Sequence, residues 1–101
     1  MNQQQLFAYG TLLDPQVQLR VIGRIVKGRA AILDGYEKIL RHFSDGKFPD
    51  LRRLDGSVVR GEVLLVSDEE LRLCDLYEGE EYERIKVKVS GGDLVWVYCG
   101  F

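Results

Sequence analysis

Three Asp-Gly pairs, Asp34-Gly35, Asp45-Gly46 and Asp55-Gly56, divide the middle of the chain into short apolar runs. Asp-Gly supplies the positive φ that tight hairpin turns require, so each pair predicts a chain reversal. The runs around them, Ile25-Val26 through Ile32-Leu33, Tyr36 to Leu40 and Val58 to Val66, then read as successive antiparallel strands. Gly61 interrupts the last run and predicts a bulge or a sharp bend there.

Helix signals are confined to two places. Asp14 suits an N-cap and Pro15 the first helical position, where a missing N–H costs nothing. Val17, Leu19, Val21 and Ile22 follow at roughly helical spacing, and Gly23 is a C-cap. Ser67-Asp68-Glu69-Glu70 is a Ser-x-x-Glu capping box, opening a second helix through Leu71, Leu73, Cys74, Leu76 and Tyr77 to Glu78-Gly79. A mostly apolar strand, Gln5 to Tyr9, precedes the first helix, and Tyr82 to Val89 with Leu94 to Tyr98 predict a closing hairpin around Gly91-Gly92. The expected fold is α+β: one domain over residues 1–101, a small mixed, mostly antiparallel β-barrel with two flanking helices.

With 101 residues, 46% of them hydrophobic, the chain can bury one core without metals or disulfides. Its 14 basic and 16 acidic residues are spread along the chain, a balance that weighs against nucleic-acid binding. Arg41, Lys47, Arg52 and Arg53 are interrupted by Asp45, Asp50 and Asp55 and read as a solvated face. Cys74 and Cys99 have no CxxC spacing, and with a single histidine, His42, they cannot assemble a zinc cluster; both read as small core residues, with pairing left open. His42 has no sequence-local Asp or Ser partner and reads as exposed. Asp75 and Glu78 together offer too few oxygens for calcium, so no metal and no other cofactor is expected. The N-terminal MNQQQ has no basic region and the apolar run after it is short, so the expectation is a cytoplasmic protein without membrane contact.

Two segments carry chemistry. Tyr9-Gly10-Thr11-Leu12 reads as strand, glycine turn and helix entry, which is either a tight turn or a nest of backbone N–H groups suited to a carboxylate. In the acidic stretch from Asp75 to Arg84, Glu78 stands apart because it ends an amphipathic helix. If Cys74 and Tyr77 face inward, Glu78 lies at the core boundary, where burial and neighbouring carboxylates raise its pKa and suit it to carrying a proton. The other reading is an exposed glutamate.

Four motifs in order, FAYGTL from Phe7, Phe48-Pro49, Val59-Arg60-Gly61-Glu62-Val63, and LCDLYEGEEYER from Leu73 to Arg84, extend over nearly the whole chain. With them the sequence resembles the gamma-glutamyl cyclotransferase-like superfamily, in its branch of gamma-glutamylamine cyclotransferases and plant avirulence-induced-gene-like proteins. The resemblance implies a small β-barrel with a cavity at one end. It implies that Tyr9, Gly10, Thr11 and Leu12 bind the γ-glutamyl part of a small-molecule substrate and that Glu78 is the acid/base. The implied reaction is attack of the γ-glutamyl α-amine on its own side-chain amide, releasing 5-oxoproline and an amine or peptide. Tyr82, and after it Tyr36, would offer a phenol to the cavity or pack as barrel aromatics. Phe48 stands where the family often has Tyr, Asp-Leu-Tyr-Glu replaces Asp-x-Phe-Glu, and the C-terminal extensions of some relatives are missing. The alternative function is a non-catalytic binding domain for a carboxylate-bearing ligand; the oligomeric state is open.

Overall fold

The first strand, β1 (Gln3–Ala8), occupies the middle of the sheet, and its apolar run follows from that position. The order is β2-β3-β1-β5-β4, with β2 Arg29–Phe43, β3 Gly46–Ser67, β4 Tyr82–Lys88 and β5 Leu94–Gly100. β1 is antiparallel to β3 and parallel to β5. A central strand covered on both faces alternates between two cores rather than between core and water. Phe7 packs with Leu33, Val59, Val95 and Val97 on one face, and Leu6 and Ala8 pack with Leu12, Val17, Leu71 and Cys74 on the other. This computed structural model describes residues 3–100; Met1 and Asn2, where the N-terminal expectation begins, lie outside them.

Both helices lie where their caps predict. In α1 (Pro15–Ile22) the Asp14 carboxylate accepts the Gln16 N–H at 2.9 Å, and Gly23 closes the helix in the left-handed conformation. In α2 (Asp68–Glu78) the Ser67 hydroxyl accepts the Glu70 N–H at 3.0 Å while the Glu70 carboxylate accepts the Ser67 N–H at 2.9 Å. Glu70 is also bonded to Arg24, which holds its carboxyl down at about 2. No helix among the described residues is long and apolar enough to cross a membrane.

Of the three predicted reversals, only the middle one turns the chain. Phe43 pairs with Gly46 across Ser44-Asp45, closing a long hairpin of β2 and β3. At the other two Asp-Gly pairs the ladder continues: Asp34 pairs with Val58 and Tyr36 with Arg53, so Gly35 alone faces residues 54–57. Gly35 and Gly56 both have positive φ, but they form one bulge that kinks the hairpin. A bulge and a turn ask for the same glycine, and pairing between distant segments decides which one forms. Ile25-Val26 likewise lies before β2, in no strand, with Ile25 exposed. Gly61 stays in unbroken register opposite Ala31, so it is no bulge. A Cβ there would stand 2.3 Å from the Ala8 carbonyl, and the glycine permits the close approach of β1.

The sheet curls into a half-barrel with the two helices on its convex side. Its edge strands come together at Ser90, just after β4, whose N–H donates to the Ile32 carbonyl at 2.8 Å and whose hydroxyl accepts the Ile32 N–H at 3.0 Å. The basic residues form a solvated face, with Lys47, Arg52 and Arg53 exposed and Arg41 partly so, and three of them have partners across the sheet. Arg41 is paired with the fully buried Asp50, Arg52 with Glu37, and Arg53 lies 5.5 Å over the Tyr36 ring. Cys74 and Cys99 are free thiols belonging to opposite cores, and His42 is exposed near the hairpin end.

Candidate active site

The chain leaves β1 through Tyr9 and Gly10 into a 3-10 turn, Thr11–Leu13. Tyr9 is buried and donates its phenol to the Tyr98 carbonyl at 2.6 Å. Burial first, then the charges of Asp50 and Glu78, raise its pKa well above the ordinary tyrosine value, so it remains a neutral donor. Gly10 lies against Pro49, whose ring would be 3.2 Å from a Cβ at that position. The turn is closed by Leu13 N–H to Gly10 O and Asp14 N–H to Thr11 O, both 3.0 Å. The N–H groups of Thr11 and Leu12 therefore precede the first intra-turn bond.

Three further bonds fix this loop and its support. Leu12 is buried and its carbonyl accepts the Gln18 side-chain amide at 2.8 Å, while the Gln18 carbonyl oxygen accepts the Val26 N–H at 2.8 Å. Thr11 and Tyr77 share a hydrogen bond of 2.8 Å. That bond joins the loop to the last turn of α2, where Gly79 ends the helix with positive φ and leaves Glu78 half-buried at its tip.

The loop, the tip of α2, the start of β4 and the end of the β2–β3 hairpin enclose a cleft of about 250 Å³. Tyr9, Gly10, Thr11, Leu12, Glu78 and Tyr82 all line it. Phe43, Asp45, Phe48 and Pro49 line it as well. The Glu78 carboxyl is pushed up to about 7, chiefly by burial and secondly by the charge of Asp50. A carboxylic acid near 7 exchanges its proton readily at neutral pH, as a general acid or base must. Tyr82 donates its phenol to the Pro49 carbonyl at 2.7 Å and tilts its ring against Phe43, centroids 6.0 Å apart. Burial, then Asp50 and Glu78, push that phenol up to about 12.

Several details differ from expectation. Cys74 faces inward, but Tyr77 is 40% exposed at the cleft rim. Asp75, the neighbouring carboxylate in sequence, accepts hydrogen bonds from Arg84 at 2.6 Å and from the Tyr98 phenol at 2.7 Å instead of facing Glu78. The carboxylate that acts on Glu78 is Asp50, from β3. Tyr36 lies away from the cleft, packed on the inner core beneath Arg53. Gln18 and Asp50 support the site but carry no local signal, because a lone polar residue between apolar ones reads as solvent-facing.

The sequence profile described as Gamma-glutamyl cyclotransferase, AIG2-like matches residues 6–100. The chain belongs to that family. Protein AIG2 C of Arabidopsis thaliana is 34% identical over 85 residues, 83% of this chain and 50% of that protein. A Methanocaldococcus jannaschii protein named gamma-glutamylcyclotransferase and putative RNase is 31% identical over 90 residues, 88% of this chain and 40% of the other. A solution structure of an Arabidopsis thaliana protein superposes with a TM-score of 0.83 at 30% identity, covering 99% of this chain and 63% of that one. The chain thus spans about half the length of the curated relatives it matches. Every cleft residue named above lies within the span matched to the gamma-glutamyl cyclotransferase, AIG2-like family.

Proposed function

We propose that this chain is a cyclotransferase-type enzyme that converts a γ-glutamyl amide into 5-oxoproline and a free amine, with Glu78 as the general acid/base. The observation carrying this reading is the Glu78 carboxyl, held near 7 in a cleft beside the Tyr9-Gly10-Thr11-Leu12 loop. The α-amine of the substrate arrives as an ammonium and must lose a proton before it has a lone pair to attack with. An ordinary glutamate near ~4.3 faces an amine near ~8, a mismatch of roughly 5 kcal/mol. Raising Glu78 to about 7 reduces the mismatch to about 1.4 kcal/mol.

In the proposed reaction Glu78 takes the ammonium proton and the freed nitrogen attacks the side-chain amide carbon, forming the five-membered ring. The ring nitrogen then gives up its second proton to solvent, the bond from that carbon to the departing nitrogen breaks, and Glu78 returns its proton to the leaving amine. Holding the γ-glutamyl chain curled in the cleft supplies the proximity term. The N–H groups of Thr11 and Leu12 are suited to the substrate carboxylate or to the developing oxyanion. Tyr82, whose phenol is engaged with Pro49, acts as a wall of the site. An RNA substrate is disfavoured, since the titratable groups lining the cleft include Asp45, Glu78 and Glu81 and, among the described residues, no Lys, Arg or His.

The test is mass-spectrometric detection of 5-oxoproline after incubation with a panel of γ-glutamyl compounds, beside Glu78→Gln. Product from the native protein alone supports the enzyme. Equal product from both removes Glu78 from the mechanism, and no product from folded protein favours ligand binding without turnover.

A further inference from the structure

A carboxylate without exposed surface stands behind one wall of the cleft. Asp50, on β3, is 0% exposed. Its Oδ1 accepts the N–H groups of Leu51 and Gly100, each at 2.7 Å, and its Oδ2 accepts from Arg41 Nε. These bonds join β2, β3 and β5 at the end of the sheet where the cleft opens. Gly100 is fitted to the arrangement: a Cβ there would stand 2.5 Å from Asp50 Oδ2. The preceding residue, Pro49, carries the brace into the cleft, with its ring against Gly10 and its carbonyl holding the Tyr82 phenol.

Stability alone does not account for a charge in this place. Burying a carboxylate costs several kcal/mol even when it is paired, and apolar residues of similar volume often serve as well or better. The pair is also unequal, because the Arg41 side chain is 36% exposed and shares its charge with water while Asp50 does not. The negative field therefore persists on the buried side. It acts on Glu78 from α2, Tyr82 from β4, Tyr9 after β1 and Cys99 from β5, with Arg41 from β2 as the counter-charge.

We infer that Asp50 is a positioning residue of this site, pinning Pro49 and the end of β5 around the cleft and setting a fixed negative charge behind it whose field adds to the buried surroundings of Glu78. The inference rests on the reading of Glu78 as proton carrier. The neutral forms of Tyr9 and Tyr82 are reinforced by the same charge, so within this group Glu78 is the one left to exchange a proton near neutral pH.

Asp50→Asn tests it, since the amide oxygen can still accept both N–H groups while the charge is gone. Asp50→Asn with Arg41→Met, which removes both charges, is made in parallel in case a lone arginine prevents folding. Glu78 is titrated by ¹³C NMR of its carboxyl in the full chain, with folding checked on the amide spectrum. In a folded variant the Glu78 midpoint falls by about half a unit or more, and the acid limb of the 5-oxoproline pH–rate profile moves by the same amount. A midpoint that stays where it is in the native protein overturns the inference, whatever the activity. A midpoint that moves in a chain that makes no 5-oxoproline upholds the link between Asp50 and Glu78 and rejects the proposed reaction instead.

Discussion

The hydroxyls of Thr11 and Tyr77 meet at 2.8 Å, tying the loop after β1 to the last turn of α2 one residue before Glu78. The bond is exposed, so it contributes little to stability, about 0.5–1.5 kcal/mol at most. Its effect is on the gap between the binding loop and the proton carrier. Tyr77→Phe and Thr11→Val are each expected to raise KM for a γ-glutamyl substrate severalfold with little change in the urea midpoint. The double variant is expected to be no worse than either single one, because both remove the same bond; steady-state kinetics on the three proteins check this.

Glu78 links the site to stability with a definite sign. Its carboxyl titrates near 7 in the folded chain and near ~4.3 when unfolded, so the folded state holds the proton more tightly. Its favourable contribution is complete below the unfolded value and is lost as pH rises from there through 7. Glu78→Gln, which stays neutral, is therefore expected to be more stable than the native protein at pH 8, by about 1–3 kcal/mol, and nearly equal to it at pH 4. Urea denaturation at the two pH values measures the difference, and equal stability at pH 8 would count against the raised pKa.

The charge lining the cleft predicts a preference among leaving groups. Asp45 and Glu81 stand at the wall and mouth together with Glu78. A γ-glutamyl amide whose departing amine carries a second ammonium is expected to exceed one bearing a carboxylate by about threefold to tenfold in kcat/KM, with the ratio shrinking as salt is added. Asp45→Lys is expected to narrow or reverse it. Competition between the two amides, followed by the two released amines, reads the ratio directly.

Gly61 is the most demanding glycine of the sheet. An added Cβ meets the Ala8 carbonyl at 2.3 Å and the Phe7 ring at 2.8 Å, and the first of these is backbone that cannot swing aside. Gly61→Ala is expected to destabilise the fold by about 3 kcal/mol or more. A denaturation curve indistinguishable from the native one would show that β1 can retreat from β3.

Much of the scaffold was legible because it depends on neighbours a few residues away. Asp14-Pro15, Gly23 and the Ser67/Glu70 box satisfy or avoid backbone groups within one turn of helix, so their residue types alone announce both helices. The motifs of the family resemblance likewise brought forward Tyr9, Gly10, Thr11, Leu12, Glu78 and Tyr82, all of which line one cleft. Tyr36 takes the second of the two readings left open for it, a packed barrel aromatic, because a strand tyrosine can face either side of the sheet and its pairing with Arg53 across the ladder turns it to the inner core. Gln18 and Asp50 were illegible for a related reason: their partners, Val26 and Leu12 for the first, Arg41 and Gly100 for the second, are chosen by the fold.

By itself, then, the sequence determined where helices begin and end, that the first strand is mostly apolar, and which loop and which glutamate the family resemblance points to. Only the tertiary structure decided which of three Asp-Gly pairs reverses the chain, that Asp75 turns to Arg84, and that Asp50 is the carboxylate acting on Glu78. The physical reason is range. Caps and turns are settled by hydrogen bonds between near neighbours, whereas burial and electrostatic coupling arise between groups such as Asp50 and Glu78 that come within range of each other's charge only in the folded chain.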